Sequence, residues 1–171
     1  MTLPDCGNVA SSDAQPRERE SATFAEIRKM IGEAPRTSDW VTVDQSRIDG
    51  FAEHTGDDAF IHVDPGRARH TRFGGTIAHG LLSLSLLPYL LRSAMPYPSE
   101  SRLGVNYGFD RVRFLTPVPV GGRVRAHVAI SGVTEDKPGF VIITYDAEVE
   151  LEGHEKPALS ARWLIGHWVM R

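Results

Sequence analysis

In the run Gly56-Asp57-Asp58-Ala59-Phe60-Ile61-His62-Val63-Asp64-Pro65 a carboxylate and an imidazole stand five residues apart. Histidine titrates near neutrality, so it can take a proton from water or return one. An aspartate beside it can fix its tautomer or hold the attacking water. Asp57 and His62 are therefore candidate acid/base partners. The same two residues also have a plain structural use, with Asp57 capping a turn and His62 a hydrogen-bonded, half-buried histidine; spacing alone does not choose between these. A second candidate is Thr76-Ile77-Ala78-His79-Gly80-Leu81-Leu82, where a polar segment enters an apolar run. The first amides of a helix lack intrahelical partners and carry the positive end of its dipole. An exposed amide at Gly80 would hydrogen-bond a developing oxyanion such as that of a thioester enolate. Glycine there lets a ligand approach the backbone closely. The structural alternative makes His79 a helix cap and Gly80 an allowance for close packing.

Other chemistry-bearing patterns are missing or ordinary. His54 and His70 fall on expected helices near the loop and read as surface residues. No HExxH spacing, CxxC pair or carboxylate cluster marks a metal site. Gly74-Gly75 is not a phosphate loop, GxSxG is absent, and no dinucleotide motif follows a strand. Ser83 and Ser85 read as helix residues facing their neighbours. Arg111, Arg113, Arg123 and Arg125 fall on an expected strand pair, where they could meet phosphates but read as a solvated sheet face.

The elements that must position Asp57, His62 and Gly80 follow from periodicity. The chain has 171 residues, 41% hydrophobic and 24% charged, the make-up of one ordinary globular domain. Its 19 basic and 22 acidic residues give −3 and no basic block, which argues against nucleic-acid binding. The single cysteine, Cys6, cannot form an intrachain disulfide, so a reducing, cytoplasmic setting is expected. The longest apolar stretch, Leu81 to Leu91, is interrupted by Ser83, Ser85 and Pro88 and is far short of the ~20 residues that cross a bilayer. Residues 1–21, rich in Ser, Asp, Pro, Arg and Glu, are expected to form a flexible tail, and 22–171 the domain.

Within the domain a short helix is expected at Phe24–Ile31 and a strand at Trp40–Val43. Asp44 caps a helix whose stripe is Ile48, Phe51 and Ala52 and which Gly56 stops. DDAFIHV reads as a loop, and Asp64-Pro65 opens another short helix. From His79 to Leu91 the chain is apolar all round, the mark of a buried helix, which Pro88 must bend or end. Met95–Glu100 reads as a loop. Strands follow at Tyr107–Phe114, Val124–Ile130, Val141–Val149 and Ala158–Trp168, with turns at Asp136–Gly139 and Glu152–His154. This half is expected to be an antiparallel meander with one apolar face. The simplest assembly is α+β, one antiparallel sheet curling around the buried helix.

The two motifs in this order, FAEHTGDDAFIHVDPGRA then FGGTIAHGLLSLSLLP, followed by RVRFLTPVPVGGRVR, resemble the MaoC-like dehydratases, (R)-specific enoyl-CoA hydratases with the hot dog fold. Within them the chain looks closest to the nodulation-protein-N-like branch, and the resemblance covers roughly residues 24 to 168. The family loop reads approximately G-D-x-N-P-[LIV]-H-x-[DE]-P. Gly56, Asp57, Ile61, His62, Asp64 and Pro65 match it, while Ala59 and Phe60 replace the usual Asn-Pro. The resemblance implies that Asp57 and His62 are catalytic and hold one water between them, and that Gly80 supplies the oxyanion-hole amide. It implies reversible hydration of a trans-2-enoyl thioester to an (R)-3-hydroxyacyl thioester, with no cofactor and no metal. Coenzyme A enters only as part of the substrate. It also implies a homodimer with its sheets side by side. Two alternatives stay open: an acyl-CoA thioesterase of the same fold, and a catalytically silent acyl-thioester-binding subunit suggested by Ala59 and Phe60.

Overall fold

The computed structural model describes residues 20–169. The first paired strand, β1 (Ser21–Ala22), is followed by α1 (Phe24–Lys29), then by β2 (Arg36–Thr37) and β3 (Val41–Val43). Thr23 and Glu26 close a capping box at the start of α1. Helix α2 (Gln45–Thr55) begins at Asp44, whose carboxylate accepts from Arg47 N, and buries Ile48 and Ala52. Gly56 ends it in the left-handed region, φ 76°, donating its N–H to Ala52 O. A glycine takes that turn without steric cost, and it swings the chain directly into Asp57.

Short helices α3 (Phe60–Val63) and α4 (Pro65–Ala68) follow, then α5 (Gly80–Ser85) and α6 (Leu87–Ala94). The remaining strands are β4 (Tyr97–Pro98), β5 (Ser101–Phe114), β6 (Gly122–Lys137), β7 (Phe140–Leu151) and β8 (Leu159–Val169). The main sheet runs β2-β6-β7-β8-β5, with β3 also on β6. All its pairings are antiparallel. The inward alternation holds: Val124, Ala126, Val128 and Ile130 of β6 are buried with Ile143, Tyr145, Ala147 and Val149 of β7 and Leu159, Ala161 and Trp163 of β8. These side chains share one core with Leu82, Leu86, Leu87, Leu90 and Leu91 of the two central helices. Each fully buried large side chain contributes about 1.5–3 kcal/mol to that association. The α+β, hot dog arrangement is thus the observed one.

Several local expectations change. The segment 60–63, expected as loop, is one helical turn. The 79–91 helix is two helices that meet at Leu86 and reach Ala94, with Pro88 at the start of the second. Proline has no N–H for the carbonyl one turn back, so the ladder must restart there. Nor is that helix buried all round: Leu81 is 59% and Tyr89 54% exposed. Within Met95–Glu100, β4 pairs in parallel with β1, Ser21 opposite Tyr97, and Glu20 O, placed in the expected tail, accepts from Tyr97 N at 2.8 Å. Residues 1–19 of that tail lie outside the described residues.

The meander covers only β6, β7 and β8. Strand β5 pairs with β8 rather than with β6, its neighbour in sequence, and forms the far edge. Consequently Arg111 and Arg113 do not share a strand pair with Arg123 and Arg125. The latter two bond Glu152 and Glu150 and stack on Trp40. Arg162 forks onto Asp146 and holds that carboxyl below its ordinary range. Among the described residues no helix is long and apolar enough to cross a membrane.

Candidate active site

His62 is set by three neighbours. Its N–H bonds to Ala59 O at 2.8 Å, which closes the single turn of α3. Its ring Nδ1 lies 2.6 Å from Ile77 O. A carbonyl can only accept, so Nδ1 carries the hydrogen, and in the neutral ring that leaves the lone pair on Nε2. That is the tautomer of a general base. The main-chain carbonyl of His62 accepts from Gln45 Nε2 at 2.8 Å, and Gln45 Oε1 accepts from Thr76 Oγ1 at 2.6 Å. Gln45 thereby ties the start of α2 to both segments of the site.

The loop on either side is pinned as well. Asp64 caps α4 by accepting from Arg67 N at 2.9 Å, and Pro65 follows at the first helical positions. The Arg67 guanidinium then stands 4.2 Å over the Phe60 ring, a cation–π contact within one short loop. Phe60 therefore has a local holding partner.

The segment 76–80 enters from the other side as extended backbone. Ile77 N bonds to Ile61 O at 3.0 Å, Ala78 N to Val118 O at 2.8 Å, and Val120 N to Thr76 O at 2.9 Å. It ends at His79, whose φ of −60° and ψ of 140° turn it into α5. Gly80 is the first residue of that helix, so no carbonyl of its own helix can take its N–H. With only six residues α5 has little dipole, and what Gly80 offers is the amide itself. His62 and Gly80 line one cleft of about 340 Å³ with Arg72, Ser83, Phe114 and Thr116.

His79 does not cap α5 with its side chain. Its ring is 2% exposed and stacks on His62 with centroids 3.8 Å apart and planes inclined 28°. Its Nε2 lies 2.8 Å from the main-chain carbonyl of Asp57. Asp57 is itself exposed, and among the described residues its carboxylate caps no turn. One donor atom from each of Asp57, His62 and His79 falls within 4.8 Å of the others. These three do not suit a metal as they stand. A bound ion lies near the plane of each imidazole that ligates it, and planes only 28° apart at a separation of 3.8 Å do not meet at ligand distance. For a water the spacing is right. Hydrogen bonds of about 2.8 Å on each side reach across such a gap.

The structure therefore brings Asp57, His62 and Gly80 into one neighbourhood, as the sequence reading expects. His54 and His70 are exposed, outside it. Sequence reasoning misses Gln45, whose only signal is being a polar residue just after the Asp44 cap. It also gives His79 the wrong task, because a histidine before a helix reads first as a cap.

The profile of the MaoC like domain matches residues 26–151. The chain is 46% identical over 143 residues to nodulation protein N of Rhizobium leguminosarum bv. viciae, covering 83% of this chain and 89% of that protein. It is 44% identical over 147 residues to 3-hydroxyacyl-thioester dehydratase Z of Mycobacterium tuberculosis, covering 86% and 97%. Among solved structures it superposes on an (R)-hydratase from A. caviae with a TM-score of 0.62 at 27% identity, over 78% of this chain and 95% of that one.

Proposed function

This chain belongs to the MaoC-like domain family, and from that premise we propose that it catalyses reversible hydration of trans-2-enoyl thioesters, with coenzyme A as the carrier, to (R)-3-hydroxyacyl thioesters. The observation that carries the reading is the meeting, within 4.8 Å, of the Asp57 carboxylate and the His62 imidazole, with Gly80 lining the same cleft as His62. In this reading a water sits between Asp57 and His62. The thioester carbonyl accepts from Gly80 N–H, which draws electron density from the conjugated double bond. His62 Nε2 takes a proton as the water oxygen bonds to Cβ, and a proton is returned to Cα. One water is consumed, nothing is oxidised, and neither a metal nor a cofactor takes part. Dehydration is the same path in reverse.

The similarity of this chain to a named 3-hydroxyacyl-thioester dehydratase supports the substrate class. The test is the ultraviolet absorbance of the conjugated enoyl thioester. A short trans-2-enoyl-CoA is expected to lose that absorbance on mixing with the protein, with no free thiol released. Release of thiol would replace the reading with a thioesterase. Binding without absorbance change on short and medium chains would replace it with a silent binding subunit.

We also propose that the protein acts as a homodimer. The edge strand β5 exposes Leu103, Tyr107 and Phe109 at 56%, 54% and 39%, and an open apolar edge is a liability that pairing removes. A second copy fits that edge. Sedimentation in dilute buffer is expected to give twice the chain mass, and a monomer would overturn this part.

A further inference from the structure

We propose that His79 is a positioning residue for the reaction, a neutral imidazole that holds Asp57 by its main chain and gives His62 a flat surface to lie against. The inference rests on the hydratase reading above but is tested apart from it. Three observations carry it. Nε2 of His79 lies 2.8 Å from Asp57 O, and since a carbonyl only accepts, Nε2 bears the hydrogen. Nδ1 is buried and has no hydrogen-bond partner among the described residues. A proton there would be a buried cationic donor with nothing among the described residues to receive it, an arrangement that favours the neutral ring. Its plane lies against His62 at 3.8 Å, and Phe51 packs on it at 4.8 Å.

A purely structural residue would not be built this way. A phenylalanine would fill the same space and leave no buried nitrogen unsatisfied. The imidazole keeps that defect and in exchange donates to Asp57, the one thing an apolar ring cannot do. The position is also where the site's parts join. Two residues earlier in the same extended segment, Ile77 O fixes the His62 tautomer. One residue later comes Gly80 N, part of the His79–Gly80 peptide itself. The bond from His79 to Asp57 O thus sets the loop carrying the carboxylate against the segment that carries the amide and orients the base. When His62 takes its proton it becomes a cation, and a neutral ring stacked on it attracts that charge where an imidazolium would repel it.

Long-range proton–nitrogen NMR of the histidine rings tests this without substrate. In the wild-type chain at neutral pH, His79 is expected to show the neutral Nε2–H tautomer and His62 the neutral Nδ1–H tautomer. An imidazolium or Nδ1–H pattern for His79 would overturn the proposal directly, with no substitution needed. Two variants then separate its two actions. His79→Phe keeps the flat surface and loses the donor, whereas His79→Gln keeps a donor and loses the ring. Each is expected to lower kcat by about 10²-fold, the order that follows a small misplacement of reacting groups, with KM changed less than about twofold because uniform binding is untouched. Each should also shift the His62 ring signals. Unchanged His62 signals in both variants, or wild-type kcat in both, would overturn the positioning role. Failure of the wild type to turn over any enoyl thioester would instead count against the hydratase reading, and the ring signals would still decide the role of His79.

Discussion

Replacing His62 with glutamine is expected to lower enoyl-thioester hydration by about 10²–10⁴-fold, the contribution of a positioned general acid/base. Glutamine is a demanding test because its amide can still donate toward Ile77 O, the bond that His62 makes at 2.6 Å. What it lacks is a nitrogen lone pair that can accept a proton from water at neutral pH. Asp57→Asn is the companion change. It preserves shape at an exposed position and removes the charge that would hold the water and balance a protonated His62. Initial rates from the loss of enoyl absorbance, with a thermal melt of each variant, read the result. A wild-type rate in either variant, with the melt unchanged, would remove that residue from the mechanism. Because His62 is 8% exposed and hydrogen-bonded at both ring and main chain, the melt of His62→Gln also reports whether its loss is merely structural.

The parts of the site that can be read in the sequence are those fixed by neighbours a few residues away. Asp44 and Gly56 bracket α2 by local capping alone, and both boundaries appear where the residue types place them. Asp57 and His62 stand out because few residue types do acid/base chemistry and these two share a short loop. Gly80 stands out because a helix begins there. Long-range pairing hides the rest. Nothing local in β5 says that it lies against β8, some fifty residues later, with Phe109 opposite Trp163. That choice depends on which edge of the β6–β7–β8 meander is free. Gln45 is invisible for a similar reason, since its partners, the His62 carbonyl and the Thr76 hydroxyl, are brought to it only by the closed fold. The turn of α3 fails in the other direction. Its few residues give too little periodicity to separate a helix from a loop, and its outer brace, Arg67 on Phe60, is a contact of one side chain with one ring.

Gly80→Pro is expected to lower kcat by about 10²–10³-fold, the usual cost of losing one oxyanion donor, while leaving α5 in place. The backbone already meets the demands of proline. Proline is favoured at the first position of a helix, where the N–H it lacks has no intrahelical partner. The residue before a proline must be extended, and His79 already has φ −60° and ψ 140°. The substitution therefore removes the amide hydrogen and little else from the main chain. It does add atoms on the side of Phe114, since a β-carbon at Gly80 would stand 3.0 Å from that ring. Gly80→Ala is the control for that crowding, because it adds the same β-carbon and keeps the N–H. Phe114 is half exposed and has room to turn aside, so alanine should cost far less than proline. The ratio of the two rates takes the β-carbon's crowding out of the comparison and leaves what happens at the nitrogen, where proline has Cδ in place of the hydrogen. Equal rates for the two variants would mean that the Gly80 amide does not carry the developing charge, and that the thioester oxygen is held elsewhere in the cleft. A large ratio with equal melts would place the reacting oxygen at the Gly80 nitrogen, the one point of the main chain that the two variants treat differently.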